Sequence, residues 1–160
     1  MKLGVLSDTH GEIERTRTAA AVFREFDVEY VIHCGDIGGE GVVLALRGLP
    51  VHYVFGNSDA ATESLREAIE RNGQHCHGSF GHLKPAGKKI FFLHGHQNDR
   101  FTTEIESGRW DLICYGHTHT RAFHTEHGTL LLNPGALHRV SRPSVVIVSL
   151  PELEITPVLL

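Results

Sequence analysis

Short apolar runs alternate with stretches in which apolar residues return every three or four positions, and the alternation persists through the first two thirds of the chain. Short runs suit strands buried on both faces. The longer period lays an apolar stripe along a helix, so the pattern predicts an α/β domain. Residues 3–6 predict a buried strand, and 13–26 a helix with Ile13, Ala20 and Phe23 on one face. A strand over 30–34, a short helix over 41–46 after a glycine-rich turn, and a strand over 51–55 follow. The next helix spans 62–71, with Thr62 as its N-cap and Asn72-Gly73 as its stop.

Beyond Gly73 the pattern turns to strands. Residues 89–93 and 112–115 are apolar and flank a short helix near 101–106. Residues 121–125 and 129–132 predict a hairpin turning at Glu126-His127-Gly128, and strands over 144–150 and 154–160 close the chain. There is no repeat, low-complexity segment or linker, so the expectation is one domain over 1–160.

Composition narrows the function classes. Of 160 residues, 41% are hydrophobic, which supports a sizeable core, and 21% are charged, which argues against disorder. A net charge of -4 without an evident basic patch argues against a duplex nucleic-acid binder, although bound metal ions could still attract a nucleotide or short oligonucleotide. Residues 1–7 enter polar sequence at once, unlike a secretory leader, and no run reaches the roughly 18 apolar residues that span a bilayer. Cys34, Cys76 and Cys114 are odd in number and widely spaced, and so read as reduced thiols of a cytoplasmic protein. The unusual count is His, at 13.

Position gives those histidines meaning. The first strand runs into Asp8-Thr9-His10-Gly11, the second into Gly35-Asp36 and the third into Gly56-Asn57-Ser58-Asp59. The next two run into His94-Gly95-His96 and Gly116-His117-Thr118-His119. Ligands of open α/β sheets bind beyond the carboxyl ends of the strands. One Asp or His there is ordinarily a turn former. Five successive strand ends that each deliver a metal-capable residue point instead to a metal centre. Mixed imidazole, carboxylate and amide donors suit Mn, Fe or Zn better than Mg or Ca. The neighbouring glycines let the backbone turn sharply toward an ion.

The ordered series Asp-x-His, Gly-Asp, Gly-Asn, His and Gly-His-x-His resembles the calcineurin-like metallophosphoesterase superfamily. The compact length is similar to its small bacterial and archaeal phosphodiesterase branch. The match runs from Asp8 to Gly135; each piece is weak alone and the ordered set is specific. The resemblance implies a four-layer αββα sandwich, two mixed β-sheets face to face with helices outside. It implies one divalent ion on Asp8, His10, Asp36 and His119, and another on Asp36, Asn57, His94 and His117, with Asp36 bridging. Manganese is the expected metal, with Fe, Zn or Ni as alternatives. Two divalent ions against two carboxylates leave a net positive site for a small phosphoester. A hydroxide between the ions then attacks phosphorus in line. Small members of the family often pair up, which makes a homo-oligomer an option.

Several residues invite a role and meet a plainer alternative. Ser58 stands where many members carry a His that protonates the leaving group. A hydroxyl is a poor proton donor at neutral pH, so good leaving groups, such as those of aryl phosphodiesters, should be favoured. Asp59 reads as a hydrogen-bonding support and not a ligand. His96 is a candidate for contacting phosphate or donating a proton, beside an orienting role. Asn133-Pro134-Gly135 reads as a structural turn near the site. His75, Cys76, His77 and His82 straddle a further strand but lack the paired spacing of a structural zinc. Arg100, Arg139 and Arg142 are candidates to reach a phosphate, against solvent exposure as the commoner fate of Arg. The alternative to an enzyme is a scaffold: a eukaryotic retromer subunit resembles this family, has lost part of its metal set and works by binding partners. Here every expected ligand position is filled by a competent residue, which favours the enzyme. A nuclease of the double-strand-break repair branch would need further domains.

Overall fold

The apolar runs become central strands because their side chains are buried on both faces. A computed structural model describes residues 1–160. Strands β1 (Lys2–Leu6), β2 (Tyr30–His33), β3 (Val51–Tyr53) and β4 (His75–Cys76) run parallel. Strands β10 (Ser144–Ser149) and β11 (Glu154–Leu159) add antiparallel, giving the order β11-β10-β1-β2-β3-β4. The second sheet is β5 (Phe80–Leu83), β6 (Ile90–Leu93), β7 (Leu112–Cys114), β9 (Thr129–Asn133) and β8 (Ala122–Glu126), in that order and again mixed.

Alternation along each strand divides the core into three. Leu3, Val5, Ile32, Val54, Val146 and Val148 of the first sheet meet Ile90, Phe92, Leu112, Cys114 and Leu132 of the second. The opposite face of the first sheet, including Leu6, Val31, Val51 and Ile147, packs under α1 (Ile13–Glu25), α2 (Glu40–Ala45) and α3 (Thr62–Arg71). Phe91, Leu93, Ile113 and Leu131 pack under α4 (Asn98–Glu106) through Ile105 and Phe101. Helix, sheet, sheet, helix is the αββα order. Phe23 of α1 lies so close over β1 that a Cβ on Gly4 would stand 2.6 Å from its ring.

Local details depart from the sequence pattern. Ile13 is 39% exposed and not part of the core, because α1 buries Thr16, Ala19, Ala20 and Phe23. Thr62 is the first helical residue and not the cap; Ala61 precedes it and no side chain caps the helix. Helix α4 starts at Asn98, earlier than expected. The 75–83 segment forms two short strands, one in each sheet, and so carries the chain from one layer to the other. The β8–β9 hairpin turns on His127 and Gly128, both with positive φ (47° and 78°), as a two-residue turn matched to strand twist requires. No helix is long and apolar enough to cross a membrane.

Candidate metal centre

The loops after β1, β2, β3, β6 and β7 lie at one end of the sandwich and are laced together by their own backbones. Asp8 N–H donates to Gly35 O (3.0 Å), His10 N–H to Asp36 O (2.9 Å) and Gly116 N–H to His94 O (3.0 Å). Asp59 is a clamp and not a ligand: Oδ1 accepts from Ile37 and Gly38 N–H (2.9 and 3.1 Å), and Oδ2 from Gly56 N–H (2.9 Å). Asn133 donates to Gly116 O (2.8 Å) and accepts from Gly135 N–H (2.9 Å), so Asn133-Pro134-Gly135 is a turn that braces the Gly116–His119 loop.

Five of the seven candidate ligands hold left-handed backbones: Asp8 (φ 52°), His10 (42°), Asp36 (54°), His117 (69°) and His119 (58°). Each such residue costs on the order of 1 kcal/mol, and Asp and His tolerate the region better than most. The sequence pattern places the sharp turning at the adjacent glycines. Two of those glycines have a different task. A Cβ on Gly56 would lie 2.0 Å from Asp36 Oδ1, and one on Gly116 would lie 1.9 Å from Ser7 Oγ and 2.6 Å from Asp8 Oδ2. They are absent side chains that make room for carboxylates.

The donor atoms converge. Asp36 Oδ2 stands between His10 Nε2 (3.3 Å) and His94 Nε2 (3.4 Å), while its Oδ1 is fixed by Ser58 N–H (2.9 Å). Asp8 Oδ1 faces His119 Nε2 (3.2 Å), with His10 and His94 Nε2 at 3.9 and 4.0 Å; Asp8 Oδ2 accepts from His117 N–H (3.1 Å). Two sets result, Asp8-His10-His119 and Asp8-Asp36-His94, each with donors within 4.8 Å of one another. His117 is exposed, its ring centroid 5.1 Å from that of His94, and the His96 ring is 5.5 Å from His94 and 6.3 Å from His117. Asn57 is exposed one residue beyond Gly56 and makes no hydrogen bond to the cluster.

Protonation follows from these contacts. His94 Nδ1–H donates to Cys34 O (2.8 Å), which fixes the ring so that Nε2 faces the two carboxylates. Burial lowers the His94 pKa, but their charges outweigh it and raise the value; an ion at Nε2 would take the place of that proton. Burial pushes the Asp36 carboxyl upward, but His94 and the Ser58 amide outweigh it and hold the group well below the usual carboxylate range. Burial, helped by the His94 and His117 rings, lowers His96.

Asp8 Oδ1, His10 Nε2 and His94 Nε2 are buried without a hydrogen-bond partner. Buried polar groups are otherwise almost always paired, and an orphaned carboxylate oxygen between orphaned imidazoles is what a divalent cation satisfies. The residues present therefore fit a metal.

Residues 1–152 match the family model of the calcineurin-like phosphoesterase superfamily domain. The chain belongs to that superfamily. This calcineurin-like phosphoesterase is 34% identical to phosphodiesterase MJ0936 of Methanocaldococcus jannaschii over 84% of its own length and 83% of the relative's. A solved structure described as a novel archaeal phosphodiesterase superposes with a TM-score of 0.93 at 30% identity, over all of both chains. Vps29 of Chaetomium thermophilum shares the fold alone, with a TM-score of 0.74 at 13% identity over 100% and 94% of the two chains. Membership makes this phosphoesterase a hydrolase, as its residue series implied.

Two features of the site had no signal in the sequence. His33 is fully buried; Gly35 N–H donates to its Nδ1 (3.2 Å), and its Nε2–H donates to Thr9 Oγ1 (2.9 Å), which donates on to Ile37 O. Burial, with His94 nearby, pulls its pKa down to about 3 and keeps it neutral. His138 donates from Nδ1 to Glu12 (3.0 Å), and its ring lies 4.8 Å from that of His10. Of the other candidates, Arg100 is drawn away onto Glu104 and the Phe80 ring. His75 stacks on His52, His77 bonds His52 and His82 faces Trp110, so these side chains do not gather around one point.

Proposed function

We propose that the chain is a dinuclear phosphodiesterase, with one ion held by Asp8, His10, Asp36 and His119 and the other by Asp36, Asn57, His94 and His117. The observation that carries this reading is the set of buried, unpartnered atoms of Asp8, His10 and His94 around Asp36. Manganese is the ion favoured among Mn, Fe, Zn and Ni by a mixed nitrogen and oxygen donor set. When bound, the ions draw in the phosphoester, offset charge on its oxygens and supply hydroxide near neutral pH.

The chain's own groups do the rest. Asp36 is the shared ligand: it is held by the Ser58 amide on one oxygen and offers the other between two imidazoles. His94 is fixed by Cys34 O with Nε2 facing the carboxylates. His96, kept neutral by burial, contacts the phosphoryl group from the His94 side. Ser58 Oγ lies 3.5 Å from His10 Nδ1 and is a weak acid, so the leaving group departs with little help. Aryl phosphodiesters are therefore the better substrates. The scaffold alternative draws on neighbours such as Vps29, but a full set of donors favours catalysis. All three cysteines are free, in keeping with a reducing cytoplasm.

Metal analysis of the purified protein, with turnover of bis(p-nitrophenyl) phosphate and of an alkyl diester, tests this reading. About two transition-metal ions per chain and an aryl rate well above the alkyl rate are expected. A metal-free active enzyme, or full activity after His117→Ala, contradicts the assignment.

A further inference from the structure

Two clefts flank the ligand cluster, and their chemistry differs. One, of about 290 Å³, adjoins Ser58 and is walled by Gly39, Ala60, Ala61 and Leu65, with Glu40 as its charged residue beside the buried clamp Asp59. The other, of about 390 Å³, begins at His119 and is lined by Thr120, Arg121, Val140, Ser141 and Arg142, with no acidic residue. Four exposed or part-exposed arginines elsewhere, Arg17, Arg71, Arg100 and Arg109, are paired with carboxylates. Arg121 and Arg142 have no such partner, and unlike the other arginines without one they line a single cleft beside a candidate ligand, in a protein whose net charge is -4. Two guanidinium groups and the hydroxyls of Thr120 and Ser141, beside the candidate ligand His119 and with no carboxylate in the lining, form a site for an anion with several acceptor oxygens.

We propose that this cleft seats a second phosphate of the substrate, so that the preferred diester carries another phosphate on the side away from its leaving group. The inference rests on the phosphodiesterase reading above and adds a direction to it. The reacting phosphate lies over the ligand cluster, the leaving group points to the Ser58 cleft and its Glu40, and the anionic end lies along Arg121 and Arg142. An anionic end cannot reverse this orientation without facing Glu40.

The test compares thymidine 5′-(p-nitrophenyl phosphate) with the same ester phosphorylated at the 3′ position, using the full, metal-loaded chain. The bisphosphate should have a kcat/KM higher by roughly fivefold or more, carried mainly by KM, since each charge-assisted contact contributes a factor of this order. Arg121→Gln/Arg142→Gln should remove most of that ratio, and 0.5 M NaCl should shrink it. Calorimetric titration should show thymidine 3′,5′-bisphosphate binding several-fold tighter than thymidine 5′-phosphate, again dependent on the arginines. Equal kcat/KM for the two esters, or a preference undiminished in the double variant, overturns the proposal. So does activation of the plain ester by free inorganic phosphate, which marks an anion site independent of substrate. If neither ester releases nitrophenolate, the phosphodiesterase reading itself fails, and equal binding of the two nucleotides then rejects the cleft assignment separately.

Discussion

Asp36 divides its two oxygens between structure and chemistry, one held by Ser58 N–H and the other facing imidazoles from both sheets. Asp36→Asn keeps the shape and removes the charge, so metal content should fall from about two ions to one or fewer and activity by about a thousandfold or more, measured by elemental analysis and initial rates. Gly56→Ala reaches the same carboxylate from outside. Its Cβ, 2.0 Å from Oδ1, must displace Asp36, and activity should fall at least about a hundredfold while far-UV circular dichroism stays unchanged. A residue away from the cluster adds to acid sensitivity. His52 is buried, which with His75 and His77 lowers its pKa to about 4, and it bonds His77 at 2.9 Å. Below pH 6.5 the unfolded chain takes up a proton there that the folded chain refuses until about pH 4, so stability falls as pH drops through that window. His52→Phe should lessen the loss by on the order of 2 kcal/mol, read from urea melts at pH 7 and pH 4.5. The convergence of Asp8, His10, Asp36, His94 and His119 could be read from sequence because each follows a strand. The left-handed backbones of Asp8 and His119 could not, since tolerance of that region leaves no mark distinct from an ordinary turn. His33 and His138 escaped for a related reason: their side-chain partners lie 24 and 126 residues away.

Elements were legible where burial is two-sided and obscure where it is not. Strands such as β6 and β10 are continuous apolar runs, whereas the two residues of β4 are too few to show any period. Ile13 misled because an apolar residue at a helix start need not face the sheet; the buried stripe of α1 begins one turn later, at Thr16. The fit of α1 onto β1 is tight. Gly4→Ala should destabilise the protein by about 1–3 kcal/mol through the Phe23 ring, visible as a lower urea midpoint at constant m-value.

Across the whole molecule, neither sheet carries all of the candidate ligands. The β1, β2 and β3 ends bring Asp8, His10, Asp36 and Asn57, and the β6 and β7 ends bring His94, His117 and His119. Metal binding should therefore be linked to folding. Adding Mn²⁺ to chelator-treated protein should raise Tm by several degrees, and Asp36→Asn should abolish most of that rise in a thermal melt.

That division makes the cluster a gauge of interlayer spacing. An ångström of slip along the seam between Val5 and Phe92 would spread the coordinating groups before any strand frayed. Substitutions deep in the sandwich, far from phosphate, should thus betray themselves first as weakened ion retention and only later as lost secondary structure.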